Sequence, residues 1–548
     1  MMINHTITQL VEEAAQAAQK QGLIPLSALP YSPVEHPQNP EHGDYASSLA
    51  LKLARSTRMN PLSIAQAVTS LLPSLREVES VSIAPPGFIN FRLSDHWLCQ
   101  QTESIIDAGA SYGDLEIGKG ASIQVEFVSA NPTGPLHVGN GRGAVLGSAL
   151  ANILSAAGYS VHKEYYINDA GTQIEVFSRS LHARYLRALG RDEPFPEDGY
   201  AGQYLLEMGR ELAEEYGEGY VGKPSELSAI GMSQMLSIIR RDLEDLGVTF
   251  DTWFSEASLY KDGQYQRVMD LLRGRGYLTE KEGALWFVSS QLGEDKDNVF
   301  VRTSGAPTYF ASDAAYHYNK FVERGFNRAI DIWGADHLGH VSRVKAVVGA
   351  LGIDPDRLQV IITQLVTLKR GQEIVRLSKR TGDIITLREV IDEVGADACR
   401  FIFLSRSADS QSDFDLELAV RQSNENPVYY VQYAHARIAS ILRYAIELDI
   451  DWSRGDVSPL TMEPELALIR KMVQLPEMVE AAAQTFEPHN LPHYAMDLAT
   501  LFHSFYTQCR VVSEDMELSR ARLKLVEAAK IVLARTLALM GMTAPESM

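Results

Sequence analysis

The chain has 548 residues, 45% of them hydrophobic and 22% charged, with 50 Lys and Arg against 70 Asp and Glu, a formal charge of −20. That apolar fraction excludes a disordered, collagen-like or low-complexity chain, and the length predicts about three or four domains. A balance this acidic excludes non-specific coating of nucleic acid, which Lys and Arg drive, but leaves room for local basic patches.

Residues 5–22 show a short helical pattern, after which Pro25, Pro30, Pro33, Pro37 and Pro40 require loop or extended chain. HGDYASSLALKLAR reads as a helix start, with Asp44 as the cap ahead of Leu49, Leu51 and Leu53. VESVSIAPPGFINFRLS predicts two strands joined by a Pro-Pro-Gly turn. Residues 1–115 are therefore read as a small α+β unit, closed by the loop around Gly113 to Gly120.

The next stretch predicts a strand over 123–128, a Pro/Gly loop, a helix over about 138–157, Gly158 and a second strand over 160–167. Its strands are apolar enough to be buried, so this βαβ unit predicts a parallel α/β sheet. Acidic helices and short strands over about 190–300 read as an insertion. Alternation resumes in PTYFASDAAYHYNKFVE, RAIDIWGADHLGH, VSRVKAVVGALG and LQVIITQLVTL, which predicts a nucleotide-binding fold split in two halves over 116–405. Beyond about 405 the strand signals vanish. Asn426 and Pro427 form a cap and first-turn pair, and Val431, Ala434, Ile438, Ile441 and Ala445 recur at helical spacing. A long amphipathic helix ended by Gly541 completes a helical bundle over 406–548.

No apolar run reaches the ~18–20 residues of a membrane span. The best stretch, IVLARTLALMGM, is interrupted by Arg535, and the acidic start MMINHTITQLVEEAAQ does not read as a signal peptide. Cys99, Cys399 and Cys509 are far apart with no CxxC, which leaves neither a disulfide framework nor a cysteine zinc site. A cytoplasmic protein without membrane contact is expected.

Two segments carry chemistry. Asn131-Pro-Thr-Gly-Pro-Leu-His-Val-Gly-Asn-Gly-Arg-Gly lies between the first strand of the α/β unit and its helix, where backbone amides and the helix dipole make an anion site. Gly139, Gly141 and Gly143 remove side chains where a base or phosphate would approach the backbone. GNGRGA over 139–144 also fits the dinucleotide fingerprint. Against that reading, ten residues with two prolines (129–138) separate it from its strand, and Asp169 follows about 30 residues on instead of about 20. The second segment holds Lys369, Arg370, Arg376, Lys379 and Arg380, five cations in twelve residues opposed by Glu373 alone. A Ser/Lys/Gly loop of that charge can fold over a triphosphate, with Lys379 meeting charge on a leaving pyrophosphate.

Together the two segments resemble the paired signatures of class I aminoacyl-tRNA synthetases: His137-Val-Gly-Asn140 at the "HIGH" position and Arg376-Leu-Ser-Lys-Arg380 at the "KMSKS" position. VEFVSANPTGPLHVGNGRGA, NDAGTQ, YFASDAAYHYNKF, WGADHLGH, LSKRTGD, NPVYYVQYAHAR and MTAPE narrow this, and the whole chain resembles arginyl-tRNA synthetases of bacterial type. The chain departs from the pattern at Asn140, which stands for His, and at Arg376, which stands for the first Lys. An amide still donates a hydrogen bond but carries no charge, so charge stabilisation rests more on His137.

The resemblance implies a Rossmann-like catalytic domain with an insertion, preceded by a tRNA-binding α+β domain and followed by an α-helical anticodon-binding bundle. It implies ATP with Mg2+, L-arginine and tRNA(Arg) as substrates, and a monomer. His137, Asn140 and Lys379 are implied in catalysis; His137, Gly139, Asn140, Asp336, His337, His340, Ser378 and Lys379 in ATP binding. Glu126, Ser129, Asn131, Tyr309 and Asp313 are implied in arginine binding, since a planar guanidinium needs carboxylates and an aromatic wall. A zinc site on His337 and His340 would lack further ligands nearby, so no metal is expected. Tyr429, Tyr430 and Tyr433 are read either as stacking platforms for splayed bases or as helix core.

Overall fold

A computed structural model describes residues 2–169, 171–375 and 385–548. The chain starts with helix α1 (Ile3–Lys20), strand β1 (Tyr45–Ser47), helices α2 (Leu49–Thr57) and α3 (Pro61–Thr69), strands β2 (Val78–Ala84) and β3 (Phe88–Leu93), and helix α4 (Asp95–Ala108). The three strands form an antiparallel sheet in the order β1-β3-β2. Asp44 does not cap α2. Its carboxylate accepts from Leu93 N at 2.6 Å, because β1 intervenes before the helix and Ser48 takes the cap position.

The central sheet is built from β4 (Ser122–Glu126), β5 (Ser160–Ile167), β6 (Thr252–Ser255), β10 (Arg328–Gly334) and β11 (Leu358–Thr363). All neighbours pair in parallel, in the order β11-β10-β4-β5-β6. Helix α5 (Val138–Ala156) crosses from β4 to β5, and its Ala, Gly and Leu are buried almost throughout. The chain returns to β10 beside β4 after building β6 at the far edge, so the strand order reverses between β4 and β10. In such sheets the crevice beyond the carboxyl ends of the strands at that reversal is the ligand site.

Between β5 and β10 lie helices α6 (Thr172–Ala188), α7 (Gln203–Tyr216), α8 (Pro224–Asp245), α9 (Glu256–Lys261), α10 (Gln264–Gly274) and α11 (Tyr309–Tyr318). A small antiparallel sheet of β7 (Leu278–Lys281), β8 (Ala284–Phe287) and β9 (Asn298–Val301) sits among them. The stretch read as an insertion thus contains one strand of the main sheet. The four residues of β6 are half-buried and too few to show a pattern in the sequence.

After helix α12 (Val341–Ala350), β12 (Val366–Arg370) pairs with β13 (Glu373–Ile374) and with β14 (Ser412–Asp415). Strand β14 lies beyond the point where strand signals were expected to end, and is again four residues long. Helices α13 (Leu387–Val394), α14 (Ala396–Leu404) and α15 (Leu416–Ala419) lead to the bundle of α16 (Pro427–Glu447), α17 (Glu463–Met472), α18 (Leu475–Thr485), α19 (Asn490–Gln508) and α20 (Met516–Leu539). Asn426 caps α16 by accepting from Val428 N at 3.1 Å, and Val431, Ala434, Ile438 and Ala445 are fully buried. No described helix is long and apolar enough to cross a membrane.

Candidate functional site

Residues 127–137 leave the end of β4 at the strand-order reversal, and neighbouring side chains fix their path. Val128 and Ser129 both adopt left-handed backbone, at φ 69° and 39°. Tyr165 of β5 donates to Ala130 O at 2.7 Å, and Tyr204 of α7 donates to Thr133 O at 2.6 Å. Asn131 donates to Gln173 at 2.5 Å. The loop then delivers His137 as the N-cap of α5.

The cap is reciprocal. His137 Nδ1 accepts from Gly139 N at 3.0 Å, and Asn140 Oδ1 accepts from His137 N at 3.0 Å. Asn140 therefore has a local task that its short amide suits, closing the first turn of the helix. His137 is exposed at the positive end of the α5 dipole, where an anion is favoured. The glycines divide their tasks. A Cβ on Gly139 would lie 2.9 Å from the His137 ring, whereas one on Gly141 would strike Leu387 at 2.6 Å, so Gly141 serves packing. Arg142 is fully buried and clamps the carbonyls of Gln364, Ser407 and Ser410 at 2.7–2.9 Å, tying α5 to the chain leading into β12 and β14. That is not how a dinucleotide turn is used.

Thr386 bridges to the backbone of His137, and Leu387 N donates to Leu136 O at 2.8 Å, so the chain following the basic segment runs beside the helix cap. Arg376, Ser378, Lys379 and Arg380 lie outside the described residues. Lys369 and Arg370 stand on β12 and are paired with Asp413 at 2.5 Å and Glu393 at 2.7 Å.

On the other side of the crevice is an acidic, aromatic pocket. Glu256 opens α9 and is 4% exposed. Burial pushes its acid up to about 7, with Asp313 and Asp169 adding repulsion and hydrogen bonds from Ser312 and Tyr166 opposing. Asp169 holds that helix start in place, accepting from Ala257 N at 2.9 Å and Ser255 Oγ at 2.5 Å. Asp313 on α11 is bonded to His340 at 2.6 Å. Tyr309, half exposed, begins α11, and its hydroxyl lies 3.8 Å from where a Cβ on Gly171 would stand. Glu126, 6% exposed, has partners on both oxygens: Ser129 Oγ at 2.9 Å and Lys320 Nζ at 2.6 Å.

His340 also faces the rings of Phe310 and Trp333, at 5.4 and 5.9 Å between centroids, while His337 is exposed and approaches Asp336 at 3.5 Å. His340 thus turns toward the acidic pocket and His337 toward solvent. Among the described residues no three His, Cys, Asp or Glu converge as a metal would require.

Three family models match successive parts of this chain. The arginyl tRNA synthetase N-terminal domain matches residues 4–93, the class I (R) tRNA synthetase catalytic domain matches 102–195 and 213–437, and the DALR anticodon binding domain matches 431–548. The arginine–tRNA ligase of Dehalococcoides mccartyi strain CBDB1 is 57% identical over 553 residues, covering 100% of this chain and 99% of its own. The chain belongs to the arginyl-tRNA synthetase family. The arginine–tRNA ligase of Heliobacterium modesticaldum is 50% identical, again over 100% of this chain and 99% of its own. The arginyl-tRNA synthetase structure of Thermus thermophilus superposes over the whole of both chains with a TM-score of 0.81 at 23% identity, a likeness of fold.

Within this synthetase fold Ser129 is bonded to Glu126, Asn131 to Gln173 and Asp313 to His340, while His137, Gly139 and Asn140 form the first turn of α5. Glu256, Gln173, Lys320, Asp331 and Tyr204 are not marked out by the sequence, and Asp169 enters only as the ill-spaced acid of the dinucleotide alternative. Glu256 and Tyr204 lie in the stretch read as an insertion, where the acidic composition hid them. Lys320 and Asp331 occur in the YNKF and IDIW stretches, where a charge amid apolar residues was the available signal.

Proposed function

We propose that this enzyme joins L-arginine to tRNA(Arg) in two steps. An arginine carboxylate oxygen attacks the α-phosphorus of ATP, the bond to the β-phosphate bridging oxygen breaks, and pyrophosphate leaves. The terminal ribose hydroxyl of the tRNA then attacks the acyl carbon of the adenylate, its proton is lost, and AMP leaves. Neither step needs a protein nucleophile; both need positioning and charge neutralisation.

The observation that carries the reading is the pair Glu256 and Asp313, two carboxylates whose charges repel, set with Tyr166, Ser312 and Asp169 where β6 ends. An always-charged, planar guanidinium relieves that repulsion and can bond both. Asp313 and Glu256 face the guanidinium, Tyr309 forms the wall, and Ser129 and Asn131 lie toward the α-amino end, with Glu126 behind them. ATP lies along the start of α5, with His137 and Asn140 at the phosphates, Gly139 giving backbone access, and Asp336, His337 and His340 closing the adenosine side. Ser378 and Lys379 serve the β- and γ-phosphates, and Mg2+ enters as part of the nucleotide substrate.

The bundle carries a column suited to unpaired bases. Tyr429 and Tyr433 are parallel within 7° at 5.8 Å, and the Arg437 guanidinium lies 4.2 Å from the Tyr506 ring centroid. The amino-terminal unit is assigned to the tRNA body. The working unit is taken as one chain in the cytoplasm, since every proposed contact lies within it. Charging of bulk tRNA with each amino acid separately tests the reading, with Lys379→Ala as control. Charging with arginine alone and its loss in the variant are expected; no arginine charging, or full activity in K379A, overturns it.

A further inference from the structure

The charged groups beneath the arginine pocket form a single chain of contacts. Ser129 donates to Glu126, Lys320 donates to Glu126 at 2.6 Å and to Asp331 at 2.7 Å, His317 meets Asp331 at 3.0 Å, and the other nitrogen of His317 meets the carbonyl of Asp313 at 2.8 Å. Both ends of the chain are pocket residues. Lys320 is its centre. It is 0% exposed, stands 4.2 Å from the Tyr316 ring centroid, and projects from a π-helical turn (Asn319–Glu323) that continues α11. Such turns recur at functional sites because they re-aim a side chain that a regular helix would direct elsewhere.

The chain meets the loop where the backbone is least favourable. Left-handed conformations at two successive non-glycine residues, Val128 and Ser129, are unfavourable and need support from their surroundings. Ser129 supplies it through its hydroxyl, which accepts from Tyr166 N at 3.1 Å and donates to Glu126 at 2.9 Å. The hydroxyl gives its proton to Glu126 and a lone pair to Tyr166 N, an arrangement that holds while the Glu126 oxygen remains an acceptor. Burial and the neighbouring Asp331 favour protonation of Glu126, and the Lys320 ammonium opposes them.

The geometry points to Lys320 as a positioning residue for arginine: its ammonium keeps Glu126 an acceptor for Ser129 and so holds the Val128–Ser129 turn that aims Asn131 at the substrate. This rests on the arginine reading of the pocket. Lys320 itself touches no substrate. The other groups facing Glu126 are Asp331 from β10, with His317 behind it, Tyr166 from β5, and Tyr316 from α11, whose hydroxyl is held by Glu164 at 2.7 Å. None of them replaces the missing cation at Glu126, so removal of Lys320 leaves burial and Asp331 unopposed in favouring the protonated carboxyl.

The test is Lys320→Met in the full chain, assayed by arginine-dependent pyrophosphate exchange with tRNA present, from about pH 6.5 to about pH 9. Wild-type protein must show arginine-dependent exchange; its absence overturns the arginine reading together with the assignment built on it, whereas an active wild type with an unaffected variant overturns the Lys320 assignment alone. In K320M the arginine KM, taken relative to wild type, rises about tenfold or more at neutral pH, while the ATP KM stays within about twofold. The arginine defect shrinks as pH rises, because rising pH returns Glu126 to its acceptor form. Where thermal melting shows K320M unfolded, Asp331→Asn combined with K320M removes the second stranded carboxylate and must show the same arginine-selective, pH-reversible defect. An unchanged arginine KM, or arginine and ATP KM raised together with no recovery at high pH, overturns the proposal.

Discussion

His340 Nε2 and Asp313 Oδ2 stand 2.6 Å apart, joining the turn that follows β10 to the helix that carries the pocket carboxylate. Sequence analysis assigned one to the nucleotide and the other to the amino acid, and their contact makes the two halves of the crevice one structure. A hydrogen bond to a charged group contributes about 1.5–3 kcal/mol, so His340→Ala is expected to weaken arginine use about tenfold to a hundredfold. Exchange kinetics varied in arginine and in ATP measure it; wild-type constants for both would show that the contact holds nothing the reaction uses.

Glu256 sets the acid side of the pH profile. Its acid lies at about 7, so the free enzyme loses that charge as pH falls through neutrality, and arginine kcat/KM falls with it. Glu256→Gln is expected to lose most of its arginine kcat/KM, and the activity that remains is expected to lack this limb. The stability effect has the opposite sense. Folding favours the neutral acid, so the native state is relatively stronger at low pH and loses that contribution as pH rises from 4.5 through about 7. E256Q is therefore expected to melt higher than wild type at about pH 8, by about 3 kcal/mol at most, and equally at about pH 4.5. A variant less stable at both would contradict the assignment.

Tyr204 shows that the long excursion between β5 and β10 reaches the site. Its hydroxyl donates to Thr133 O at 2.6 Å, across the loop that leads to His137, and Gly134 leaves room for the ring. Tyr204→Phe deletes one neutral hydrogen bond, a loss of about 1 kcal/mol in stability, and is expected to raise arginine and ATP KM a few-fold together. Unchanged kinetics with the stability loss would confine Tyr204 to holding the fold.

The legible parts of the sequence were those with period or punctuation. Helix α5, the hairpin β2–β3 and the start of α16 follow from the Gly-rich turn, the Pro-Pro-Gly link and the Asn426-Pro427 cap, and each is found where expected. Short strands were not legible: β6 and β14 have four residues each, too few for alternation to stand out, and tertiary pairing alone defines them. The same limit applies in the site. Glu126, Ser129, Asn131 and Asp313 are polar groups whose motifs suggest a substrate, whereas Lys320, though in the same motif as Asp313, and Asp331 draw their meaning from being neighbours across two elements, which no local pattern encodes.

Arg400 and Gly541 give a test of how the bundle is joined to the catalytic sheet. The buried Arg400 guanidinium bonds Met540 O at 2.7 Å, Leu246 O at 3.0 Å and Ser148 Oγ at 3.0 Å, in a socket whose wall is Gly541. Gly541 has φ 72°, and a Cβ there would lie 2.1 Å from Arg400 Nη2. Gly541→Ala therefore combines an unfavourable backbone with an overpacked socket and is expected to cost about 2–4 kcal/mol. Gly274, at the end of α10 with open space around it, is the control, and its alanine variant is expected to be neutral or stabilising by about 0.5 kcal/mol. Equal melting of the two variants would mean that the junction yields where it is assigned to be rigid.

On the proposed reading of the bundle, variants in the α16 aromatic column are expected to affect tRNA and not the small substrates. Tyr433 is half-buried and parallel to Tyr429, with the His503 ring at 6.0 Å and the Arg437 guanidinium at 5.8 Å from its centroid. Stacking of a base on such a ring contributes about 1–3 kcal/mol, so Tyr433→Ala is expected to raise the tRNA KM about tenfold and leave arginine and ATP KM unchanged. Arg437→Gln adds a second signature. A cation that meets a phosphate releases a counterion on binding, so its loss lowers the slope of log affinity against log salt by about 1, whereas Y433A leaves the slope intact. On a chain of formal charge −20, binding that weakens with salt must come from such local cations. Should Y433A charge tRNA with wild-type KM, the ring would be bundle core and the tRNA surface would have to lie elsewhere on the α16–α19 face.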